Sequence, residues 1–170
     1  MTTTTTARVY VGTYAKYNGG SITGKWLDCE DYSDHNAFIG ACKALHADEP
    51  DPELMFQDYE GPAAFYAESA IDPALWDWLE LDEDDRELLA VYQEHVDESG
   101  DIETARDSYQ GTFDSPSDWA ADWLESTGSL SEIPETLRNH FDFEAYARDA
   151  GFDGYVFARH DGSVWVFSPV

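Results

Sequence analysis

Acidic side chains are concentrated in one part of this 170-residue chain. The segment 46–137 contains 27 of the 36 aspartates and glutamates and only two basic residues, Arg86 and Arg106, so its net charge is −25. The first 45 residues are neutral overall, and the last 33 carry −2, for a total of −27. Any fold of this sequence must therefore hold a strongly self-repelling segment together through apolar contacts.

The remaining composition is that of a folded protein. Acidic disordered tails are poor in aromatic residues, whereas this chain has 6 Trp, 10 Tyr and 9 Phe and an apolar content of 42%. Its length suits one ordinary domain or two to three small ones. We therefore expect the charge to lie on the surface of packed structure.

The charge restricts the classes of partner. Nucleic acid, anionic membranes and acidic substrates would be repelled, so a basic protein surface is expected, above all one that holds nucleic acid. On a scale of about one charge per 1.7 Å of duplex, the net charge matches roughly 46 Å of DNA. Met1–Thr6 is a threonine-rich run that we predict to be disordered, without the apolar core of a signal peptide. No stretch approaches 18 apolar residues, so a cytoplasmic protein is expected.

Local patterns in the first 60 residues predict a small α+β unit. Alternating apolar residues predict strands, and Asp34 is a typical N-cap before a helix with an apolar face. The predicted elements are a strand at Arg8–Ala15, a turn at Asn18–Gly20, a strand at Ser21–Leu27, a helix from Asp34 to Leu45 and a strand at Leu54–Tyr59.

Short helices are predicted in the middle of the chain, and mixed structure at its end. Asp72-Pro73 and Ser115-Pro116 are typical helix starts, and Asp161-Gly162 is typical of a tight hairpin turn. Further helices are predicted at Glu83–Ser99, Ile102–Tyr109 and Phe141–Ala150, and strands at Gly154–Arg159 and Ser163–Phe167. We predict the α+β class with three small domains: α+β at 1–60, acidic and helical at 61–108, and α+β at 109–170.

Carboxylates and apolar residues lie on opposite faces of three successive predicted helices. At about 100° per residue, four glutamates of Glu83–Ser99 fall within about 60° of one another, opposite Leu88, Tyr92 and Val96. Like charges four residues apart destabilise a helix, and interspersed cations are almost absent here. We therefore interpret these faces as a partner-binding surface, a folded polyanion for a basic groove. The candidates are Glu80, Glu83, Glu87, Glu94, Glu98, Glu103, Asp107, Asp114, Asp118, Asp122 and Glu125.

Catalytic and metal-binding patterns are weak. Cys29, His35, Cys42 and His46 form a loose set whose spacing fits no standard zinc pattern, and Cys42 is predicted to be a packed core thiol. The chain lacks a phosphate-binding glycine loop and the serine and histidine motifs of common hydrolases. We expect no enzymatic activity, no cofactor and no metal.

Four stretches resemble the ArdA family of antirestriction proteins. They follow the family's order along most of the chain, and the first two are the more specific. They are Val9–Ser21 with its continuation Gly24–Leu27, Asp48–Glu60, Tyr109–Phe113 and Asp142–Asp149.

This resemblance implies a non-enzymatic DNA mimic carried by mobile genetic elements. Similar proteins form elongated, curved homodimers of three small domains per chain and occupy the DNA-binding groove of type I restriction–modification enzymes. A homodimer that blocks restriction, and that binds neither nucleic acid nor membrane, is therefore expected. The family has no single catalytic residue to carry over, so the candidate carboxylates rest on helical geometry alone.

Three other interpretations of the charge stay open. The first is an acidic adaptor or chaperone for another basic nucleic-acid-binding protein. The second is a hydrolase that uses two of the many carboxylates. The third is adaptation to high salt, which should spread charge over the whole surface and fits poorly with the neutral first 45 residues.

Overall fold

A computed structural model describes residues 6–170 and confirms the α+β class. The run predicted to be disordered is Met1–Thr6, and all of it except Thr6 lies outside the described residues. Contacts between Cα atoms divide the chain into a first unit, 1–82, and a second unit, 83–170. The three-domain division stays a prediction. Within 6–170, none of the helices combines the length and the apolar character needed to cross a bilayer.

The strands and helices follow one another in mixed order. Those of the first unit are β1 (Arg8–Thr13), α1 (Tyr14–Asn18), β2 (Lys25–Asp28), α2 (His35–Leu45), β3 (Leu54–Glu60), β4 (Tyr66–Ala67), β5 (Ala70–Ile71) and α3 (Ala74–Glu80). Those of the second unit are α4 (Glu83–His95), α5 (Ile102–Ser108), β6 (Tyr109–Phe113), α6 (Pro116–Ser126), α7 (Glu135–Arg138), α8 (Phe143–Phe152), β7 (Val156–His160) and β8 (Ser163–Phe167).

An antiparallel sheet of order β2-β1-β3 forms the centre of the first unit. Val9 and Val11 of β1 are fully buried and belong to the same core as Phe38 and Cys42 of α2. Helix α2 begins as predicted, because the Asp34 carboxylate accepts the Ala37 N–H at 2.8 Å. The three predicted strands and the helix of this unit are thus confirmed, although with different ends.

The first predicted strand ends early because of a helix cap. The Thr13 hydroxyl accepts a hydrogen bond from the Lys16 N–H at 3.2 Å, so the chain enters α1 at Tyr14. The returning strand starts only at Lys25, four residues after the predicted start at Ser21. The short hairpin β4–β5 was not predicted, since two residues per strand are too few to show alternation.

The second unit is built on an antiparallel sheet of order β6-β8-β7. The predicted hairpin is confirmed: Asp161 and Gly162 have φ of 47° and 79°, the left-handed pair that a two-residue turn between twisted strands requires. Strand β6 was not predicted, and it follows α5 directly at Tyr109. Helix α8 begins after an Asp142 cap and continues through Gly151, where a helix end was predicted.

Helix α4 is shorter than predicted and ends at His95. The Val96 and Asp97 N–H groups both bond to the Tyr92 carbonyl, which closes the last turn. A Cβ at Gly100 would lie 2.2 Å from the Tyr92 ring, so glycine is required where the chain turns back over that ring. Glu98 therefore lies beyond the helix, and its predicted place on a helical face with Glu83 is wrong.

Candidate partner-binding surface

The candidate carboxylates are distributed over both units. Glu80 is the last residue of α3 in the first unit, and the other ten lie in the second. Every candidate is exposed except Glu87, which is half-buried. The helical positions are Glu83, Glu87 and Glu94 in α4, Glu103 and Asp107 in α5, and Asp118, Asp122 and Glu125 in α6, whereas Glu98 and Asp114 lie in connecting segments.

Apolar contacts anchor the opposite faces of the acidic helices. Leu88 and Tyr92 of α4 pack in one core with Phe167 of β8, and Tyr92 is only 1% exposed. In α6, Trp119 is 2% exposed and lies 5.0 Å from the Tyr155 ring between centroids. The predicted opposition of carboxylates and apolar residues is therefore observed in both helices. Because each helix is fixed on one side, the carboxylates on the other side have defined positions.

Some of the acids stabilise the helices that carry them. The Asp101 carboxylate accepts the Thr104 N–H at 2.8 Å and caps α5. Asp118, in the first turn of α6, donates its N–H to the Ser115 hydroxyl, and its carboxylate accepts the hydroxyl proton at 2.7 Å. Negative charge at a helix N-terminus also interacts favourably with the helix dipole.

Replacing Asp101 with alanine should lower the free energy of unfolding, because the N-cap of α5 is lost. Hydrogen bonds from the Thr104 backbone and side chain hold the pKa of Asp101 below its usual value. The stabilisation from this shift is therefore complete above the unfolded-state pKa of about 3.9 and is lost as pH falls through the lower folded-state pKa. Urea unfolding of the parent, Asp101→Ala and Asp101→Asn, measured against pH, tests this.

Asparagine at position 101 also caps helices, so Asp101→Asn should keep most of the stability but lose the acid-dependent part. An alanine variant as stable as the parent at neutral pH would contradict the capping role.

Among the described residues, two candidates, Glu103 and Glu87, form ion pairs of 3.0 Å or less. The Arg106 guanidinium binds Asp85 and lies 3.0 Å from the Glu103 carboxylate. Its hydrogen bond to Asp85 holds the pKa of that carboxyl below its usual range. This arginine links α4 to α5 and offsets part of the charge at Glu103. Glu103 is therefore less available to an external cation than the sequence suggested.

Glu87 forms the second internal pair. Its carboxylate lies 2.9 Å from His160 Nε2 at the end of β7, and Asp161 lies 3.8 Å from the same nitrogen. The potential ligand atoms of these three residues lie within 4.8 Å of one another, the one such group among residues 6–170. His160 was not a candidate, because 73 residues separate it from Glu87 and no local pattern joins them. The Glu87–His160 pair ties α4 to the C-terminal hairpin.

Among the described residues, most of the other exposed candidates of the second unit have no cationic side chain beside them to offset their charge. Between residues 6 and 170, ion pairs are absent at Glu83, Glu98, Asp107, Asp114, Asp122 and Glu125. Glu94 lies 3.7 Å from its neighbour His95. A surface of this kind attracts cationic side chains and repels phosphates.

The loose cysteine and histidine set has structural roles instead. Cys29 and Cys42 are fully buried, and burial raises the pKa of their thiols to about 11 and about 12. The prediction that Cys42 is a packed core thiol is confirmed. The His35 ring packs edge-on against Trp76. In the described part of the chain, these residues form no cluster of metal-ligand atoms.

The buried ring of His46 belongs to a polar network that the sequence patterns did not reveal. The Lys16 ammonium lies 2.8 Å from His46 Nδ1, and Nε2 of the ring lies 3.1 Å from the Val11 carbonyl. Because the ammonium can only donate, Nδ1 is the acceptor and Nε2 carries the proton. Lys16 also pairs with Asp48 at 2.9 Å, and Thr13 donates to Glu49 at 2.7 Å. These contacts join the first two stretches that resemble ArdA proteins.

Comparison with known proteins agrees with the resemblance. A match to the family described as antirestriction protein (ArdA) covers residues 9–164, nearly the whole chain. No curated protein matches the sequence. The family match includes both units, the His46 network and all eleven candidate carboxylates. The chain is therefore a member of the ArdA family of antirestriction proteins.

Proposed function

We propose that this protein is a DNA mimic that occupies the DNA-binding groove of a type I restriction–modification enzyme and blocks restriction. Family membership implies antirestriction activity, exerted by an inhibitor rather than an enzyme, with restriction–modification enzymes as partners. The observation that carries the mechanism is the set of exposed, mostly unpaired carboxylates on successive helices whose other faces are buried. Such a surface presents negative charge at fixed positions, as a nucleic-acid backbone does.

Inhibition by this mechanism requires no chemical step. Lysines and arginines that line a DNA channel pair with the carboxylates and are then unavailable to phosphates. A single exposed pair contributes about 0.2–1 kcal/mol, so affinity arises from many pairs together. Long-range attraction between the acidic surface and the basic channel also raises the association rate, and salt weakens both effects.

The proposal includes the assembly expected from the resemblance. An elongated homodimer of three small domains per chain would double the charge to that of a longer DNA segment. A protein of a mobile genetic element would act in the host cytoplasm, where incoming DNA meets the restriction enzyme.

Displacement of DNA tests the mechanism directly. Purified protein is titrated into a type I methyltransferase that holds fluorescently labelled target DNA, at about 0.05 M and about 0.2 M salt. Stoichiometric release of DNA that weakens at the higher salt supports mimicry. Restriction blocked in cells without any release in this assay would contradict it and would favour the adaptor interpretation.

A single neutralised carboxylate should have little effect. Glu94→Gln removes one exposed charge from α4 without removing a buried contact, so displacement should weaken by less than about fivefold, the limit for one exposed pair. The midpoint of a DNA-displacement titration measures the change. Complete loss of inhibition by a folded Glu94→Gln variant would show that the surface does not act as a distributed whole.

A further inference from the structure

A pocket in the first unit combines apolar side chains with carboxylates. It has a volume of about 460 Å³, which is within the range of ligand sites, and lies along β3 and β4 and the segment from Tyr17 to Ile22. Three of the six large apolar residues that are exposed among the described residues line it: Tyr17 at 51%, Ile22 at 73% and Tyr59 at 44%. Exposed apolar groups that converge on one concave site indicate a binding surface.

Two tyrosines form a stacked aromatic wall in this pocket. The rings of Tyr59 and Tyr66 are nearly parallel, with an interplanar angle of 11° and centroids 4.6 Å apart. The Tyr66 hydroxyl donates to the Glu60 carbonyl at 3.4 Å, which helps to fix the inner ring. Tyr59, the more exposed of the two, provides a ring edge and face to a ligand.

The charged side chains that line the pocket are acidic, which favours a cationic ligand. Asp58 and Glu68 both line the pocket, and no basic side chain does so within the described residues. One oxygen of Asp58 accepts the Tyr59 N–H at 2.9 Å. This contact orients the Asp58 carboxylate and leaves further lone pairs for a ligand.

We propose that this pocket binds an arginine side chain of a basic protein partner. A guanidinium stacks on aromatic rings and bonds to carboxylates in one plane, so tyrosine and aspartate together favour arginine over lysine. An arginine would also bring its methylene groups against Tyr17, Ile22 and Met55. The pocket uses aromatic stacking in addition to charge, and its test does not depend on the proposed DNA mimicry.

The two methionines of the chain make occupancy measurable. Met55 lines the pocket, and the chain has only two methionines, so methyl-¹³C methionine labelling of the full protein gives few enough signals for that of Met55 to be followed. End-blocked Gly-Ser-Arg-Ser-Gly is titrated at about 0.15 M salt, where the screening length is about 8 Å. The control ligand is the same end-blocked peptide with lysine in place of arginine, which has the same charge. The arginine peptide should shift the Met55 signal and bind about threefold or more tightly than the lysine peptide.

Substitutions inside and outside the pocket distinguish binding at the pocket from attraction by the net charge of the protein. Asp58→Asn and Tyr59→Leu should each weaken the arginine peptide about threefold or more, whereas Asp51→Asn, an exposed change of equal charge outside the pocket, should leave it within error. An unshifted Met55 signal, equal binding of both peptides, or equal weakening by Asp58→Asn and Asp51→Asn would overturn the proposal. Because no restriction enzyme is present, none of these results would alter the outcome of the DNA-displacement assay.

Discussion

Neutralising six exposed carboxylates of the second unit should weaken DNA displacement by about 100-fold. The variant combines Glu94→Gln, Glu98→Gln, Asp107→Asn, Asp114→Asn, Asp122→Asn and Glu125→Gln. At about 0.5 kcal/mol per exposed pair, the six together contribute about 3 kcal/mol, and about 1.4 kcal/mol corresponds to a tenfold change in affinity. Asp101, Asp118, Glu87 and Glu103 are left unchanged, because each has a hydrogen bond or ion pair within the unit.

A control variant with the same net charge distinguishes the effect of where the carboxylates lie from the effect of the total charge. It neutralises six exposed acids of the first unit in the same way: Asp28, Glu30, Asp31, Asp51, Glu53 and Asp77. Both variants have a net charge of −21, six less negative than the parent at −27. The control should weaken displacement by less than about tenfold, since only long-range attraction changes and salt screens it. Equal losses in the two variants would refute the assignment of the partner-binding surface to the acidic helices.

The contrast between Glu94 alone and the six-residue variant follows from the geometry. A catalytic pair or a metal site loses its activity with one residue, because the others cannot replace its chemistry. Carboxylates that pair independently with separate cations contribute small terms that add when they are far apart. A steep loss from one residue and a gradual loss from several therefore distinguish the hydrolase interpretation from the mimicry that we propose.

The elements that could be predicted are those encoded by neighbouring residues. Asp34, Asp101 and Ser115 each cap a helix through a bond to a residue three positions ahead, so the starts of α2, α5 and α6 were predictable. The β7–β8 hairpin was equally predictable from its two-residue turn. Strand β6 was not, because its partner among residues 6–170 is the distant strand β8 and it follows a helix without a break.

The candidate surface could likewise be predicted only where it depends on residues that are close in sequence. Helical periodicity located exposed carboxylates on α4 and α6 opposite Tyr92 and Trp119, because phase along a helix depends only on spacing. The internal partners of Glu87 and Asp85 were missed, since they lie 73 and 21 residues away. The pocket at Tyr59 was missed as well, because three separate segments of the first unit form it.

Replacing Trp119 with alanine should have the largest effect on stability, about 3–5 kcal/mol. Trp119 holds α6 against the sheet and α8: its ring lies 5.0 Å from Tyr155, 5.3 Å from Phe157 and 6.3 Å from Tyr146 between centroids. Its loss leaves a cavity under a helix whose outer face carries repelling carboxylates. Urea unfolding followed by circular dichroism measures the change.

A second tryptophan provides the matched control for this substitution. Trp26 is half-buried on an edge strand of the first unit, where it contacts Tyr10 edge-on and the Arg8 guanidinium at 4.8 Å from the ring centroid. Trp26→Ala should cost only about 1–2 kcal/mol, because a half-buried ring with one edge-on and one cation–π contact contributes less than a fully buried ring. Added salt should raise the unfolding midpoints of the parent and of both variants, because it screens a repulsion between carboxylates that all three share. An unchanged unfolding midpoint for Trp119→Ala would show that the aromatic core does not balance the repulsion of the acidic face.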